Sequence, residues 1–203
     1  MLNYEEQFYN NDVKLIAGTD EAGRGPLCGP VVAAAVILPK DYHNELINDS
    51  KKLTEKQREK AFLDIIKNAL AYGVGYVDSV TIDKINIYEA SRKAMLIALN
   101  NMKIKPDFII TDYMPLKFEN INVLPLPHGD ALCECIAAAS IIAKVCRDHY
   151  MNLIDKKYPQ YDFKHNKGYG TKKHLEALDK YGPIKGFHRY SYGPVSIKKV
   201  KLF

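Results

Sequence analysis

The sequence predicts an α/β fold with a mixed five-stranded sheet flanked by helices and a helical C-terminal extension. Apolar runs at 14–19 and 30–38 have the length of buried strands, and a glycine-rich turn joins them as antiparallel neighbours. Further along the chain, strand-like and helix-like segments alternate, which places helices on the faces of a sheet. Because the first strands are hairpin-like and the later ones are joined through helices, the sheet should be mixed.

The remaining elements follow from apolar periodicity and from the residues that interrupt it. Apolar residues at helical spacing mark the helices, and Thr54 is a good N-cap for the first of them. A strand containing Pro125 is expected at a sheet edge, because proline donates no hydrogen bond to a neighbouring strand. The predicted helices are 55–70, 87–102, 131–153 and 172–181. The other predicted segments are strands at 73–77, 107–112 and 123–125, loops at 48–53 and 159–170, and a short helix or arm over 1–12.

Composition sets the broad class of the protein. A chain of 203 residues with 47% hydrophobic and 26% charged residues is typical of one soluble domain with a substantial core. The net charge of +5 is compatible with a polyanionic partner without demanding one. Four cysteines without zinc spacing favour small buried thiols in a reducing compartment. The acidic N-terminus is unlike a signal peptide, and no apolar run is long enough to cross a membrane. We therefore expect a cytoplasmic protein that acts as a monomer.

Acidic residues that end predicted strands are the most informative feature of the chain. Asp20 and Glu21 close the first strand, Asp112 closes the strand after the second helix, and Asp130 precedes the long helix. Because neighbouring strand residues face opposite ways, Asp20 and Glu21 can share a site only if the backbone bends or one acts through its carbonyl. The alternatives are an N-capped turn with a solvated acid pair, a turn role for Asp112 and an N-cap role for Asp130.

A shared site for these four acids predicts a metal centre. If the first and fourth strands are neighbours, the acids converge at the strand ends where ligands of α/β sheets bind. Such a cluster repels itself unless protons or cations neutralise it. Oxygen ligands favour hard cations such as Mg²⁺ or Mn²⁺, and two such ions would serve phosphodiester hydrolysis.

Six sequence blocks follow one another over about 14–195. They are Asp20-Glu21-Ala22-Gly23-Arg24-Gly25-Pro26, Gly29-Pro30-Val31-Val32-Ala33-Ala34-Ala35, Asp49-Ser50-Lys51-Lys52-Leu53, Ile136-Ala137-Ala138-Ala139-Ser140-Ile141-Ile142-Ala143-Lys144-Val145 with Arg147-Asp148, His165-Asn166-Lys167-Gly168-Tyr169-Gly170-Thr171 and His188-Arg189-Tyr190-Ser191-Tyr192-Gly193-Pro194-Val195. Together they resemble the ribonuclease HII family. The resemblance implies an RNase H-like fold over 1–203, with a core at about 14–155 and a helical substrate-binding part at about 156–203.

The resemblance also implies an activity and a set of site residues. The implied reaction is endonucleolytic cleavage of RNA in RNA–DNA hybrids, including single ribonucleotides embedded in duplex DNA, which serves ribonucleotide excision repair and primer removal. By matching position, Asp20, Glu21, Asp112 and Asp130 are the metal-binding acids. Gly23, Arg24 and Gly25 correspond to the loop that recognises the 2′-hydroxyl, and Tyr169 to the tyrosine that stacks on the next deoxyribose. Lys51 and Lys167 are the better candidates among the lysines for phosphate contacts, although surface lysines are often simply solvated.

Several alternatives stay open at this stage. The protein could be a non-catalytic hybrid-binding module, or another two-metal phosphodiesterase or nucleotidyl-transferring enzyme on the same fold. Ribonuclease HIII is the nearest rival family, but its members usually lack the Gly-Arg-Gly sequence. His128 stands where the family usually has lysine, and Gly193 where alanine is commoner. His165 and His188 either orient substrate or only pack, and the basic tail 197–203 is either a sliding-clamp peptide or a frayed terminus.

Overall fold

The computed structural model describes residues 3–49 and 53–200, and its centre is one sheet with helices on both faces. The strands are β1 Ile16–Ala22, β2 Val31–Ile37, β3 Ala71–Val77, β4 Phe108–Asp112 and β5 Asn122–Leu126. The helices are α1 Glu55–Asn68, α2 Ser79–Asn100, α3 Glu134–Lys157, α4 Phe163–Asn166, α5 Lys172–Tyr181 and α6 Gly193–Val200. Short 3₁₀ helices occupy Tyr4–Phe8, Glu45–Asp49, Gly129–Ala131 and Pro159–Tyr161.

The sheet is mixed, as the sequence predicts. Its strand order is β3-β2-β1-β4-β5. The pairs β1–β2 and β2–β3 are antiparallel, whereas β1–β4 and β4–β5 are parallel. The first and fourth strands are therefore neighbours, which is the condition on which convergence of the acids depends. Strand β5 contains Pro125 and lies at an edge, as predicted.

Each face of the sheet packs against a long helix. Ala34 and Val36 of β2 face α3, whereas Ala33, Ala35 and Ile37 face α2. Small residues allow both helices to approach the sheet closely. A Cβ atom added to Gly18 of β1 would lie 2.3 Å from the backbone carbonyl carbon of Cys135 in α3. The central strands are buried on both faces, which explains their continuous apolar sequence.

A third hydrophobic cluster joins the C-terminal helices to the turn after β1. Leu27 and Cys28 from that turn pack with Met151 of α3, and with Phe163 and Phe187 from the C-terminal part. Backbone hydrogen bonds reinforce the contact, since the Leu27 N–H donates to the Gly168 carbonyl at 2.8 Å. The C-terminal helices are thereby fixed against the same turn that carries the Gly-Arg-Gly sequence.

Helix boundaries differ from the predictions where a local cap decides them. Helix α2 begins at Ser79 rather than 87, because the Asp78 side chain accepts a hydrogen bond from the Thr81 N–H. Its backbone breaks at Asn86, where φ is 65°, and the Asn86 side chain accepts a hydrogen bond from the Glu89 N–H. The predicted start at 87 thus corresponds to the second segment of α2.

The predicted loops and the C-terminus are more ordered than the sequence indicates. The predicted loop 159–170 contains a 3₁₀ helix and α4. The prediction of a frayed terminus is wrong up to Val200, because α6 spans Gly193–Val200. Asp130 lies inside a 3₁₀ helix, and Cys133 rather than Asp130 is the N-cap of α3. Lys51 and the end of the tail, 201–203, lie outside the described residues. Within the described chain, none of the helices has the length and apolarity needed to span a membrane.

Candidate active site

The acidic residues meet where the pairing between β1 and β4 ends. The last residues paired between β1 and β4 are Thr19 and Thr111. Asp20, Glu21 and Asp112 follow them, at the carboxyl ends of the two strands. Asp20 pairs with Ala34 and Glu21 with Ala33, whose side chains face opposite helices. Both acids nevertheless line one cleft of about 450 Å³, at the point where β1 has passed the last residue of its pairing with β4.

The fourth acid is brought to the same cleft by a hydrogen bond from its own turn. The Gly129 N–H donates to Asp112 Oδ1 at 2.9 Å, which fixes the 3₁₀ helix Gly129–Ala131 beside the end of β4. Asp130 follows directly and lines the cleft with the other three acids. The structure therefore brings together all four acids that the sequence singles out.

Burial, together with crowding of the carboxylates, raises the pKa of two members of this cluster. Burial, followed by the charges of Glu21 and Asp112, raises the pKa of Asp20 well above its ordinary value. Burial also raises the pKa of Glu21, and the nearby Arg24 guanidinium partly offsets that effect. Arg24 Nη1 lies 3.3 Å from Glu21 Oε1. A divalent cation would neutralise this cluster more completely than one exposed arginine does.

The donor set fits a hard divalent cation. Carboxylate oxygens are the ligands that Mg²⁺ and Mn²⁺ prefer. Glu21 Oε2 is buried and makes no hydrogen bond to any described residue, so it is an acceptor that still needs a partner. An unsatisfied buried carboxylate oxygen beside two further carboxylates is costly without a cation.

The Gly-Arg-Gly loop and Tyr169 lie side by side on the wall of the same cleft. Gly23, Arg24, Gly25 and Tyr169 all line it. A Cβ atom added to Gly25 would lie 3.3 Å from Tyr169 Cε1, so the tyrosine ring covers this glycine. Tyr169 is 48% exposed, so a substrate can reach it from solvent. The two features that the sequence assigns to substrate recognition are thus adjacent.

Two buried arginines hold these segments in place. Arg189 donates to the carbonyls of Gly23, Arg24 and Gly29 at distances of 2.7 to 3.1 Å. Arg147 donates from Nη1 to the Lys167 carbonyl at 2.9 Å and from Nε to the Pro30 carbonyl at 3.1 Å. Both side chains are at most 1% exposed. Burial and the charge of Arg189 lower the pKa of Arg147 to about 10, so it remains charged at neutral pH.

The space around Gly23 explains why a glycine occupies that position. Its φ is 101°, and an added Cβ would lie 2.2 Å from Arg147 Nε. Any other residue would be strained and would displace the arginine. The tight turn and the buried guanidinium therefore depend on each other.

The surroundings of Lys167 do not directly support its predicted role in phosphate binding. The Lys167 side chain is only 13% exposed, and its ammonium donates to Asn152 Oδ1 at 2.5 Å. Lys167 does not line the cleft, whereas Lys144 and Arg58 do. Lys144 Nζ lies 2.6 Å from Asp148 Oδ1, and Arg58 Nη2 donates to the Leu53 carbonyl at 2.7 Å. Arg58 lies on a predicted helix, but nothing in the sequence distinguishes it from the other charged residues of α1.

The arginines at 147 and 189 are the functional residues that sequence reasoning passes over. Both occur in the blocks that carry the family resemblance, but their spacing in the sequence indicates no role, and arginine is mostly found at protein surfaces. The signal that was available is their position inside otherwise small-residue or aromatic blocks. Only the structure reveals that they bind backbone carbonyls rather than substrate.

The sheet order and the acid-lined cleft at its edge define a protein of the RNase H-like class. The family model described as Ribonuclease HII matches residues 17–195. The chain is 54% identical over 192 residues to a ribonuclease HII of Acetivibrio thermocellus, covering 95% of this chain and 75% of the relative. The ribonuclease H2 structure from Pyrococcus horikoshii OT3 is similar with a TM-score of 0.78 and 29% identity, covering 92% of this chain and 98% of that one. The structure of the PCNA:RNase HII complex from Archaeoglobus fulgidus has a TM-score of 0.71 and 25% identity, with coverage of 86% and 92%.

The chain belongs to the ribonuclease HII family. It is accordingly a ribonuclease H, an endoribonuclease that acts on RNA–DNA hybrids. The RNase H-like fold implied by the six sequence blocks is confirmed. Ribonucleases of this family use divalent metal ions, in agreement with the donor set of the cleft.

Proposed function

We propose that this enzyme nicks duplex DNA on the 5′ side of a single embedded ribonucleotide, in addition to cutting the RNA strand of continuous hybrids. The products would carry a 3′-hydroxyl and a 5′-phosphate. One observation carries the proposal: the four acids, the Gly23–Gly25 loop and Tyr169 line one cleft. The cleavage chemistry and a means of recognising an RNA–DNA junction therefore lie within reach of the same nucleotide.

The four carboxylates are proposed to hold two divalent ions, either Mn²⁺ or Mg²⁺. When bound, such ions supply activation of the attacking water and stabilisation of the leaving oxygen. Asp20 and Asp112 are central, since the two carboxylates are close enough to raise the pKa of Asp20. Asp112 has a second task, because its Oδ1 holds the turn that carries Asp130.

The Gly23–Gly25 loop is proposed to recognise the 2′-hydroxyl of the ribonucleotide. That hydroxyl distinguishes RNA from DNA, and it both donates and accepts hydrogen bonds. A loop with two glycines allows close approach of its backbone to the sugar. Arg189 and the Tyr192 hydroxyl already hold the carbonyls of Gly23 and Arg24, so the loop is shaped before substrate arrives. Preorganisation of this kind reduces the ordering cost of binding.

Tyr169 is proposed to stack on the sugar that follows the ribonucleotide. A ring against that sugar tolerates the CH₂ of deoxyribose and crowds an added hydroxyl. The preferred substrate is therefore a 5′-RNA–DNA-3′ junction. The position of the ring over Gly25 supports this role, because it lies next to the loop assigned to the preceding nucleotide.

The remaining assignments follow from this division of labour. The C-terminal part at about 156–203 is proposed to bind substrate, because it supplies Tyr169 and fixes the Gly23–Gly25 loop through Arg189. Lys51 and Lys167 remain proposed phosphate contacts, and Lys167 would have to leave Asn152 to make one. We further propose that the enzyme serves ribonucleotide excision repair and removal of RNA primers, as the family resemblance implies. We expect a monomeric enzyme, since one chain contains the complete site.

A sliding clamp is proposed as a further partner through the basic and apolar tail at 197–203. The Archaeoglobus fulgidus relative was solved in a PCNA:RNase HII complex, which supports the idea for this chain. Deleting 197–203 should abolish binding to the clamp of the same cell. It should leave the rate on a short junction substrate unchanged, because Tyr169 and Arg189, through which the C-terminal part acts on substrate, precede the deletion. Equal clamp binding by the truncated chain would contradict this assignment.

The proposed function is tested with a DNA duplex that contains one ribonucleotide. The enzyme should produce one nick on the 5′ side of the ribonucleotide with Mn²⁺ or Mg²⁺, and a chelator should abolish it. Asp112→Asn serves as the matched inactive control. Cleavage of a continuous hybrid without any nick at a single ribonucleotide would overturn the junction proposal. Hybrid binding without cleavage of either substrate would favour a non-catalytic binding module.

A further inference from the structure

Two buried histidines outside the acidic cleft form a chain of hydrogen bonds that ends on Tyr169. The Ile184 N–H donates to His188 Nδ1 at 2.8 Å. His188 Nε2 lies 3.1 Å from His174 Nε2, and His174 Nδ1 lies 2.9 Å from the Tyr169 carbonyl oxygen. The two rings are at most 1% exposed. This set of contacts is called the histidine relay below.

Only one arrangement of protons satisfies every contact of the relay with neutral rings. A backbone N–H can only donate, so His188 Nδ1 accepts from Ile184 and the His188 proton is on Nε2. A carbonyl can only accept, so His174 carries its proton on Nδ1 and donates it to Tyr169. His188 Nε2–H then donates to His174 Nε2. The proton positions follow from the heavy-atom contacts and are mutually consistent.

The surroundings of the relay favour this neutral form. Burial lowers the pKa of both His174 and His188. The two rings pack with Phe163, and His188 also packs with Tyr161 and Phe187. Burial among these rings keeps water away, and an imidazolium without water is disfavoured.

Cys28 lies close enough to both rings to suggest a metal site, but the hydrogen bonds argue against one. Its Sγ and the two histidine nitrogens lie within 4.8 Å of one another. A metal would need free lone pairs on the nitrogens facing it, whereas His188 Nε2 carries the proton of the relay. Burial raises the pKa of Cys28 to about 12, so beside the metal-free relay its sulfur is a neutral thiol. The cluster is therefore better explained as a hydrogen-bonding device.

The relay ends at the backbone carbonyl of Tyr169, the residue that is proposed to stack on the substrate sugar. The Tyr169 carbonyl accepts one hydrogen bond from His174 and a second from the Thr171 N–H at 2.8 Å, which occupies both of its lone pairs. The Tyr169 ring is half-exposed, so its direction depends on the backbone that carries it. Ile184 and His188, by contrast, belong to the segment between α5 and α6, more than ten residues further along the chain.

We propose that His174 and His188 are positioning residues that set the orientation of Tyr169 and thereby the discrimination of RNA–DNA junctions. This inference rests on the proposed role of Tyr169. The relay fixes the peptide of Tyr169 against α5 and the 184–188 segment. The aromatic ring then meets the substrate in one orientation instead of many, which lowers the entropic cost of stacking on the sugar. Neither histidine touches substrate or metal.

The functional test compares cleavage of a single-ribonucleotide duplex with cleavage of a continuous hybrid, with kcat and KM measured for both. His174→Phe keeps an aromatic ring and removes the bond to Tyr169, and should lower the ratio of kcat/KM values roughly fivefold to tenfold. His174→Asn should retain most of the ratio, because its Nδ2 amide replaces the Nδ1–H donor. Leu178→Ala is the control for general loss of packing, since Leu178 lies buried one turn further along the same helix and its aliphatic side chain makes no hydrogen bond of the relay. It should leave the ratio unchanged.

A structural readout is available because the chain contains no tryptophan. Tyr169→Trp introduces a single fluorophore at the position in question. Adding His174→Phe in that background should increase acrylamide quenching and lower the fluorescence anisotropy of the tryptophan, whereas adding Leu178→Ala should change neither.

The two readouts separate failure of the relay from failure of the proposed function. Unchanged fluorescence and an unchanged substrate ratio in His174→Phe would overturn the relay. An equal fall of the ratio in Leu178→Ala would also overturn it, because general loss of stability would then be the cause. If Tyr169→Ala itself leaves the ratio unchanged, the junction role of Tyr169 fails, and the discrimination part of the inference fails with it. The fluorescence would still report whether the relay orders the loop.

Discussion

Asp20 is buried beside two other carboxylates. This environment lowers the stability of the metal-free protein and favours the binding of a cation. Only 7% of the residue is exposed, and its Oδ1 accepts the Glu21 N–H at 2.7 Å. Burial, and then repulsion by the charges of Glu21 and Asp112, raises the pKa of Asp20 when no cation is present. Because these negative charges repel one another when no cation is present, binding of divalent ions at the site is favoured.

Asp20→Asn should affect stability and metal binding in opposite directions. In metal-free buffer the variant should melt at a higher temperature than the unmodified protein, because one repelling charge is gone. Mn²⁺ should raise the melting temperature of the unmodified protein and have little effect on the variant. Cleavage should fall by about 100-fold or more, since even loss of an outer-shell partner costs up to that much. Thermal melts with EDTA and with Mn²⁺, alongside a cleavage assay, check both expectations; an equal metal-induced rise in the variant would contradict them.

The buried arginines stabilise the fold through their individual hydrogen bonds, and lysine cannot replace them. Arg189 reaches three carbonyls and the Tyr192 hydroxyl with one planar group. A lysine ammonium has no fork with which to reach them all. Its compact charge would leave buried carbonyls without donors.

Arg189→Lys should therefore destabilise the protein by about 2–4 kcal/mol, as expected for breaking a buried charged network. The matched control is Arg92→Lys, because Arg92 is 45% exposed and pairs with Glu89 on the surface of α2. That exchange should cost less than about 0.5 kcal/mol. Urea denaturation measures both values, and equal effects would refute the structural role of Arg189.

At the residue scale, the sequence identifies the acids better than the arginines. Asp20, Glu21 and Asp112 are recognisable because each follows an apolar strand, and strand ends converge in a sheet of this order. Arg147 and Arg189 have no such pattern, since their partners are backbone carbonyls supplied by distant segments. Their role depends on tertiary packing, which residue spacing does not encode.

Strand β3 shows how packing of one element can reverse an interpretation made from composition. Glycines at 73 and 75 suggest a weakened strand. In the structure α2 lies against them, and an added Cβ would lie 2.1 Å from the Ala98 carbonyl oxygen at Gly73 and 2.1 Å from the Ala94 carbonyl oxygen at Gly75. The glycines therefore allow the close approach of a helix rather than merely weakening the strand.

Gly75→Ala should lower the free energy of unfolding by about 1–3 kcal/mol, because the methyl group forces α2 away from the sheet. Gly193→Ala is the control, since no described atom lies within 4 Å of the Cβ it would add. Denaturant titrations of both variants measure the difference. A neutral Gly75→Ala would show that α2 adjusts without cost.

The C-terminal helices should confer an acid sensitivity through the histidine relay. Burial and the neighbouring His174 lower the pKa of His188 from 6.5 to about 3. The unfolded chain therefore binds a proton at His188 between these values that the folded protein does not, so this stability is complete above pH 6.5 and declines as the pH falls towards 3. One such group contributes a slope of at most about 1.4 kcal/mol per pH unit.

The acid sensitivity is measured as a difference between two proteins, because the raised pKa values of Asp20 and Glu21 act in the opposite direction. His188→Phe should have a lower free energy of unfolding at neutral pH and a flatter decline between pH 6.5 and 4. Parallel curves for the variant and the unmodified protein would exclude His188 as the source.

At the element scale, the strands are easier to predict than the ends of the helices. Strand positions follow from apolar runs and were close to the observed bounds for all five strands. Helix ends depend on single caps, such as Asp78 and Asn86 around the break in α2. Helix α6 starts at Gly193-Pro194, and proline favours the first turn of a helix, but a glycine-proline pair equally indicates a turn.

On the scale of the whole molecule, two parts of the chain meet at one cleft. The sheet and the turn after β5 supply the acids, and the C-terminal part supplies Tyr169, between α4 and α5, and Arg189, between α5 and α6, which shapes the Gly23–Gly25 loop. The third hydrophobic cluster joins the two parts around Leu27 and Cys28. The sequence predicts the acids and the tyrosine as separate features. Their adjacency needed the structure, because nothing in the spacing of residues 20 and 169 indicates contact.

The central claim is that cleavage and junction recognition share this cleft, and Tyr169→Ala tests it most directly. The measurement is the ratio of kcat/KM for a single-ribonucleotide duplex to that for a continuous RNA–DNA hybrid, with cut positions mapped and Tyr181→Ala, a comparably exposed tyrosine, as control. Tyr169→Ala should lower the ratio by roughly tenfold, since stacking of one aromatic ring contributes about 1–3 kcal/mol, and Tyr181→Ala should not. An unchanged ratio with unchanged cut positions would contradict the account.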